Sequence, residues 1–249
     1  MRMVELLRTE KIMSIQKLAD AFQVSIVTIR RDLEQLAGEG LIKRIHGGAA
    51  IVEQVDPSVE KILFSGRIAV QNEEKERIAR MALSLVKEGD TIFLDTGTTV
   101  AVLARELKEV KNITVVTNSL AVMNLLCDTE IPVYGLGGLM RGREAAFSGS
   151  VTISMLQNFY FDRAFLGVGG ISLEAGVTDY FFETTQLRRA VLERSKETVL
   201  LADSQKFGKH TPAVVFPLAS ADYMVTDKKP DEIYVSALKE AGVQLLYPV

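Results

Sequence analysis

Apolar positions recur at helical spacing in the first forty residues, then give way to a short hairpin pattern and a long alternation of apolar runs and amphipathic stretches. In residues 2–8, Met3, Val4, Leu6 and Leu7 share one side of a predicted helix. Ser14 then caps a second helix, SIQKLADAF, whose inward stripe is Ile15, Leu18, Ala19 and Phe22. Gln23-Val24 makes a tight turn, and Ser25 caps a third helix with Ile29, Leu33 and Leu36 at i, i+4 and i+7. Gly38 and Gly40 stop that helix. Leu41 to Ile45 is apolar and basic, and Gly47-Gly48 turns it back, which predicts a hairpin over 41–52. Residues 53–71, with Asp56-Pro57-Ser58, show little periodicity and read as a linker.

From residue 72 strands and helices alternate. NEEKERIARMALSLVKEG opens with acidic residues that suit a helix N-terminus. Predicted strands follow at 91–95, 113–117, 131–137, 162–170, 198–203, 214–216 and 222–226. Predicted helices lie at 99–107, 119–126, 151–158, 183–196 and 231–240. Fully apolar strands between helices imply an α/β fold, with a mostly parallel sheet covered on both faces. The expected organisation is a winged helix-turn-helix at 1–53, a linker at 54–71 and an α/β domain at 72–249.

Composition changes this picture little. The 249 residues carry a net charge of −3, and 47 % are hydrophobic, as in an ordinary globular chain. No apolar run approaches the roughly 18 residues that span a bilayer, and MRMVELLRTEK is no secretory leader. The expectation is a cytoplasmic protein with no membrane partner. The lone Cys127 excludes an intrachain disulfide and, beside Leu125-Leu126, reads as a buried structural thiol. Two histidines and one cysteine offer no metal site, and nothing calls for a cofactor. Residues 1–56 hold eight Lys/Arg and eight Asp/Glu, so any DNA-binding case rests on placement rather than total charge.

That placement is favourable. Opposite the apolar stripe of the third helix lie Val27, Arg31 and Glu34, flanked by Thr28 and Arg30. Val27, Thr28 and Arg31 are candidates for base contacts in a major groove, and Ser25 is chiefly the cap. Arg30, Lys43, Arg44 and His46 are candidates for phosphates or the wing edge.

Ligands of open α/β sheets sit at the carboxyl ends of strands, and four such ends here are polar or glycine-rich. Asp95-Thr96-Gly97-Thr98-Thr99 combines backbone access, hydroxyls and a helix start, a set that suits an anion. Asn118-Ser119 follows the next strand, though alone it is a plain cap. Gly137-Gly138 precedes Arg141 and Arg143, without the dinucleotide spacing G-x-G-x-x-G. Asp203-Ser204-Gln205-Lys206 brings an ammonium just past a strand. Glu183 could accept hydrogen bonds from sugar hydroxyls, or simply oppose a helix dipole. Together these groups point to a phosphorylated sugar or polyol.

The run LADAFQVSIVTIRRDLEQLAGEGLIKRIHGGA, through VS-x-x-TIRRDL, the EGLIKR step and the HGGA wing, resembles the DNA-binding signature of the DeoR family of bacterial sugar-metabolism regulators, and the likeness continues over nearly all of the chain. Members usually carry several polar residues before the first helix, whereas this chain enters it almost at Met1. The resemblance implies a C-terminal domain similar in fold to ribose phosphate isomerases and coenzyme A transferases. In it DTGTT matches the phosphate loop and DSQKFGK matches an Asp-x-x-Lys segment near the sugar. The related isomerases carry acidic catalytic residues after the strand matching AFLGV, where this chain has Gly167-Val168-Gly169-Gly170. The expected function is therefore a regulator, with no catalytic residues, that binds double-stranded operator DNA under control of a phosphorylated sugar. A homo-oligomer, dimer or tetramer, is expected, because one short recognition helix spans few base pairs. The alternative is a sugar-phosphate isomerase carrying a DNA-binding module, with Asp162, Asp179 and Glu183 as its carboxylates.

Overall fold

A computed structural model of the chain describes residues 3, 6, 12–38, 42–45, 48–51, 73–141 and 145–248. The chain divides into two units, Met1–Ile62 and Leu63–Val249.

The first unit contains β1 (Ile12–Ser14), α1 (Ile15–Phe22), α2 (Ile26–Gly38), β2 (Ile42–Ile45) and β3 (Gly48–Ile51). Of the first predicted helix, Met3 and Leu6 are helical and pack on the unit's core; its remaining residues lie outside the described ones. That core is Leu18, Ala19, Ile29, Leu33 and Ala49, drawn from the apolar stripes of α1 and α2 and from β3. The predicted hairpin is present as β2 against β3, and β1 adds a third strand on the other side of β3. β1 was not expected, because three residues are too few to show a period and its pairing is made entirely with distant residues. Gln23 takes a positive φ of 51° where α1 ends, and the amide of Val24 closes back on the carbonyl of Ala19.

The second unit is built on seven parallel strands in the order β15-β14-β12-β9-β4-β5-β6. These are β4 (Thr91–Leu94), β5 (Thr114–Thr117), β6 (Val133–Gly135), β9 (Phe161–Gly167), β12 (Ser195–Leu201), β14 (Tyr223–Val225) and β15 (Gln244–Leu246). The chain winds outward from β4 to β6, returns to β9 beside β4, and winds out the other way to β15. Helices α3 (Glu73–Leu83), α4 (Thr98–Glu106) and α5 (Leu120–Leu126) share one core with Ile92, Leu94 and Val115. Helices α6 (Ser150–Leu156), α7 (Phe182–Leu192) and α8 (Glu232–Glu240) share the other with Phe93, Val116 and Leu166. Neighbouring residues of one strand thus enter opposite cores, which is why the strands read as unbroken apolar runs.

Several boundaries move. α3 ends at Leu83 in tight turns instead of running to Gly89. The predicted strand 162–170 is two strands: β9 leaves the sheet at Gly167, and β10 (Gly170–Ser172) joins a small antiparallel sheet with β11 (Gly176–Asp179) and β13 (Ala213–Phe216). The predicted strand at 214–216 belongs to this side sheet. Of the predicted strand 131–137 only β6 forms, and a hairpin of β7 (Leu139–Arg141) and β8 (Ala146–Ser148) follows it. Cys127 corrects the buried-thiol expectation: it is exposed at the end of α5, its thiol donating to the carbonyl of Asn124 at 3.2 Å. It follows the apolar stripe of α5 and falls on the outer side of the helix end.

Candidate DNA-reading helix and ligand cleft

In the first unit, Ser25 caps α2 by accepting from the amide of Thr28 at 3.1 Å. Its hydroxyl also meets that of Thr28 at 2.8 Å. Ile29 and Leu33 anchor the inner face, so Val27, Thr28 and Arg31 are turned outward, Val27 being 75 % exposed. An apolar side chain so exposed on a helix that also presents an arginine suits contact with base methyls and edges. Arg30 lies on α2, and Lys43 and Arg44 lie on β2, paired with Ala50 and Ala49. His46 lies outside the described residues.

In the second unit β4 and β9 are neighbours at which the winding reverses, and at their carboxyl ends the chain departs in opposite directions. Such a switch point opens a crevice. A cavity of about 300 Å³ lies there, between the 96–100 loop and helix start, Gly167–Gly169, Asp179-Tyr180 and the turn bearing Asp203 and Lys206. Gly97 precedes α4 with φ 115°, a conformation open to glycine, and no side chain among the described residues caps the helix. The first amides of a nine-residue helix therefore face the cavity together with Thr98 and Thr99. Gly167 permits a close approach: a Cβ there would stand 3.0 Å from the carbonyl oxygen of Thr96, tighter than side chains ordinarily come.

Asp95 does not line the cavity but holds its floor. Its carboxylate accepts from the amide of Gly167 at 3.2 Å and from Nε of Arg188 at 2.6 Å. Arg188 reaches on to Asp179 in a second ion pair. All three side chains are buried, so one guanidinium ties the ends of β4 and β11 to α7. Asp203 caps the short turn Ser204–Lys206 through the amide of Gln205 at 3.0 Å, and Asp227 binds the amide of Ser204 at 2.6 Å. These bonds fix the backbone from which Lys206 projects. Among the described lining residues, Lys75, Arg188 and Lys206 bring three positive charges against Asp179 and Asp203.

Of the four polar strand ends, the first and the fourth converge here. The other two are built into the packing beyond β5. Ser119 caps α5, accepting from the amide of Val122 at 3.4 Å. Asn118 exchanges hydrogen bonds with Phe147 of β8, and the carbonyl of Gly137 accepts from Thr152 at 2.8 Å. Neither Asn118-Ser119 nor Gly137-Gly138 lines the cavity, and Glu183 is exposed in the first turn of α7. Arg143 lies outside the described residues. Asp162 sits at the opposite end of β9, where it accepts from the amide of Thr91 at 2.9 Å and pairs with Lys196 at 2.7 Å. That removes it from any cleft chemistry.

Lys75, Tyr180 and Arg188 line the cavity without having been anticipated. Lys75 was hidden among the acidic residues of the first turn of α3. Arg188 did leave a signal: it shares the buried stripe of Thr184, Leu187 and Val191, where an arginine needs partners.

A helix-turn-helix with a wing, followed by a doubly wound sheet with an anion-favouring crevice at its switch point, defines the class of transcription regulators that join a DNA reader to a sensor. Two family descriptions fit the chain: the DeoR-like helix-turn-helix domain over residues 1–55 and the DeoR C terminal sensor domain over residues 70–228. The chain belongs to the DeoR family. It is 33 % identical over 243 residues to the glycerol-3-phosphate regulon repressor of Escherichia coli K12, covering 97 % of this chain and 95 % of that one. It is 34 % identical over 244 residues to the HTH-type transcriptional repressor GlcR of Bacillus subtilis 168, covering 98 % and 93 %. Among solved structures, ribose 5-phosphate isomerase A of Methanocaldococcus jannaschii gives a TM-score of 0.40 at 24 % identity, over 53 % of each chain.

Proposed function

We propose that this protein represses a carbohydrate-utilisation operon by binding operator DNA through α2 and the wing, and that a phosphorylated sugar or polyol in the cleft modulates that binding. The observation that carries this reading is the uncapped start of α4 opening on the cleft beside Lys75 and Lys206. Helix amides and two ammonium groups suit a phosphate, and Thr98, Asp203 and Tyr180 suit hydroxyls. The relative named for the glycerol-3-phosphate regulon supports the same ligand class. We assign residues 1–53 to DNA reading, 54–71 to the linker and 72–249 to sensing and assembly, in a cytoplasmic homo-oligomer. Thr96, Gly97, Thr98, Thr99 and Lys206 are the effector contacts we retain, with Asp95 as their support and Lys75, Tyr180 and Arg188 added.

An isomerase needs a positioned base. The candidates fare poorly: Asp162 is remote, Asp179 is held by Arg188, and Gly169 leaves no room for a side chain, since a Cβ would stand 2.9 Å from Cα of Asp179. We therefore read the protein as a non-enzyme. Gel shifts on the promoter of its own gene neighbourhood, titrated with a panel of phosphorylated sugars and polyols, test the proposal. Release by a member of the panel is expected, without turnover; a response to none of them defeats the effector assignment, and turnover defeats the non-enzyme reading.

A further inference from the structure

Most large apolar side chains of the second unit are buried, yet a group near the β6 end of the sheet is not. Tyr134, Leu139, Met140, Val151 and Met155 are 53, 67, 51, 58 and 37 % exposed, and all lie within the segment that closes the β6 end of the sheet. Their neighbourhood is fixed by contacts. The ring of Tyr134 lies 5.2 Å from that of Phe159, just past the end of α6. Val151 and Met155 are one turn apart on α6, and a Cβ at Gly137 would meet the sulfur of Met155 at 3.8 Å. Gly137 leads directly into Leu139 and Met140 of β7, whose partner strand β8 runs into α6.

Beneath this patch is a strand edge. β6 has one strand neighbour, β5, among the described residues, and its three residues carry no charge. Edges left to face water are ordinarily blunted with charged side chains or covered. The side sheet of this protein shows such a device: Arg189 donates to the carbonyls of Val215 and Val214 on β13, at 2.6 and 2.8 Å. β6 has apolar side chains around it instead.

We infer that the β6 edge, the β7–β8 hairpin and the outer face of α6 form the interface with a second copy of this chain. Leu139 and Met140 are successive strand residues and point to opposite faces of the hairpin, so at most four of the five share one face. At roughly 200 Å² per large side chain, these leave about 400 Å² of apolar surface open. That matches the largest patch found on a monomer, about 300–600 Å², which is often functional. It also supplies about half of the ~800 Å² that each partner contributes to a stable pair. A second copy is the occupant these features favour. The five side chains carry no charge that calls for a partner of opposite sign, so the surface can meet itself across a two-fold axis. A single helix of the length of α2 reads one half-site, and pairing two copies supplies the other. The interface lies outside the ligand cleft, so it stands or falls separately from the effector assignment.

Sedimentation of the full chain tests this. The wild type is expected at twice the chain mass or more at micromolar concentration. Leu139→Glu/Val151→Glu should fall to the single-chain mass, keep its circular dichroism spectrum and bind an operator with two half-sites at least tenfold more weakly. Ile233→Glu, at an exposed apolar site on α8, should leave the mass unchanged. A wild type that stays a single chain overturns the proposal and assigns the patch to another macromolecule. A folded double variant of wild-type mass overturns it too. Should the double variant misfold, Leu139→Gln decides by the same reading: at least a tenfold rise in the dissociation constant supports the interface, and an unchanged constant overturns it. Calorimetric titration of wild type and double variant with inorganic phosphate separates the outcomes, because the cleft lies outside the interface and should bind the ion alike in both.

Discussion

Replacing Arg188 with methionine isolates the support beneath the cleft. The substitution keeps an unbranched apolar stem in place of the arginine's methylenes and removes the guanidinium. Asp95 and Asp179, both more than nine-tenths buried, then lose their shared counter-charge. Removing one partner of a buried ion pair costs about 3–5 kcal/mol, because the remaining charge stays desolvated and unpaired. For a unit of this size each kcal/mol lowers the melting temperature by about 2–4 °C, so the sensor transition should fall by roughly 6–20 °C. Scanning calorimetry, with the second unit's transition followed by itself, reads this directly. Adding Asp95→Asn should restore part of the loss, since the neutral amide no longer needs the guanidinium. The double-mutant cycle should give a coupling of at least ~1 kcal/mol. A loss below about 1 kcal/mol, or additivity within ~0.5 kcal/mol, would refute the claim that one guanidinium ties β4 and β11 to α7.

Other expectations can be checked independently. Arg31→Ala should narrow the gap between operator and random DNA by about 1–3 kcal/mol, whereas Lys43→Ala should weaken both alike and reduce the salt slope by about one; equal effects in competition assays would contradict these roles. Lys206→Ala should leave operator affinity intact while weakening the effector response tenfold or more in gel shifts, and loss of operator binding by the folded variant would make the role structural. Asp162 is held below its ordinary value of 3.8, first by the hydrogen bond from Lys196 and then by the amide of Thr91. Its contribution is therefore present above that pH and lost as acid titrates the folded form. Denaturant midpoints of Asp162→Asn should trail the wild type at neutral pH and converge with it in acid; a constant gap would count against the linkage.

Much of the fold was legible because burial on both sides of a parallel sheet writes unbroken apolar runs, and because capped amphipathic stripes mark α1 and α2. What escaped was made by partners distant in sequence. β1 and β15 are three residues each, and β10, β11 and β13 form a side sheet that no local period announces. The cleft divided along the same line. Thr96–Thr99, Asp203 and Lys206 line the cavity, and residue types like these at a strand end carry their chemistry with them. Asn118 and Gly137 show the same local pattern and bond to the hairpin and α6 instead, a choice decided by tertiary packing. Arg188 and Lys75 come from helix faces whose direction only the assembled sheet fixes.

The crevice is closed at its floor by a bond between Asp95 and Gly167, residues 72 positions apart, from strands on either side of the winding reversal. No local segment can assemble it, because both halves of the sheet must dock first. The DNA-reading unit, by contrast, is complete within the first quarter of the chain. During synthesis, then, the recognition helix emerges and folds long before the chain has any place to hold a ligand. Responsiveness is the last competence this molecule acquires, and a chain cut short beyond its first unit would keep its reading helix with no means of being told to let go.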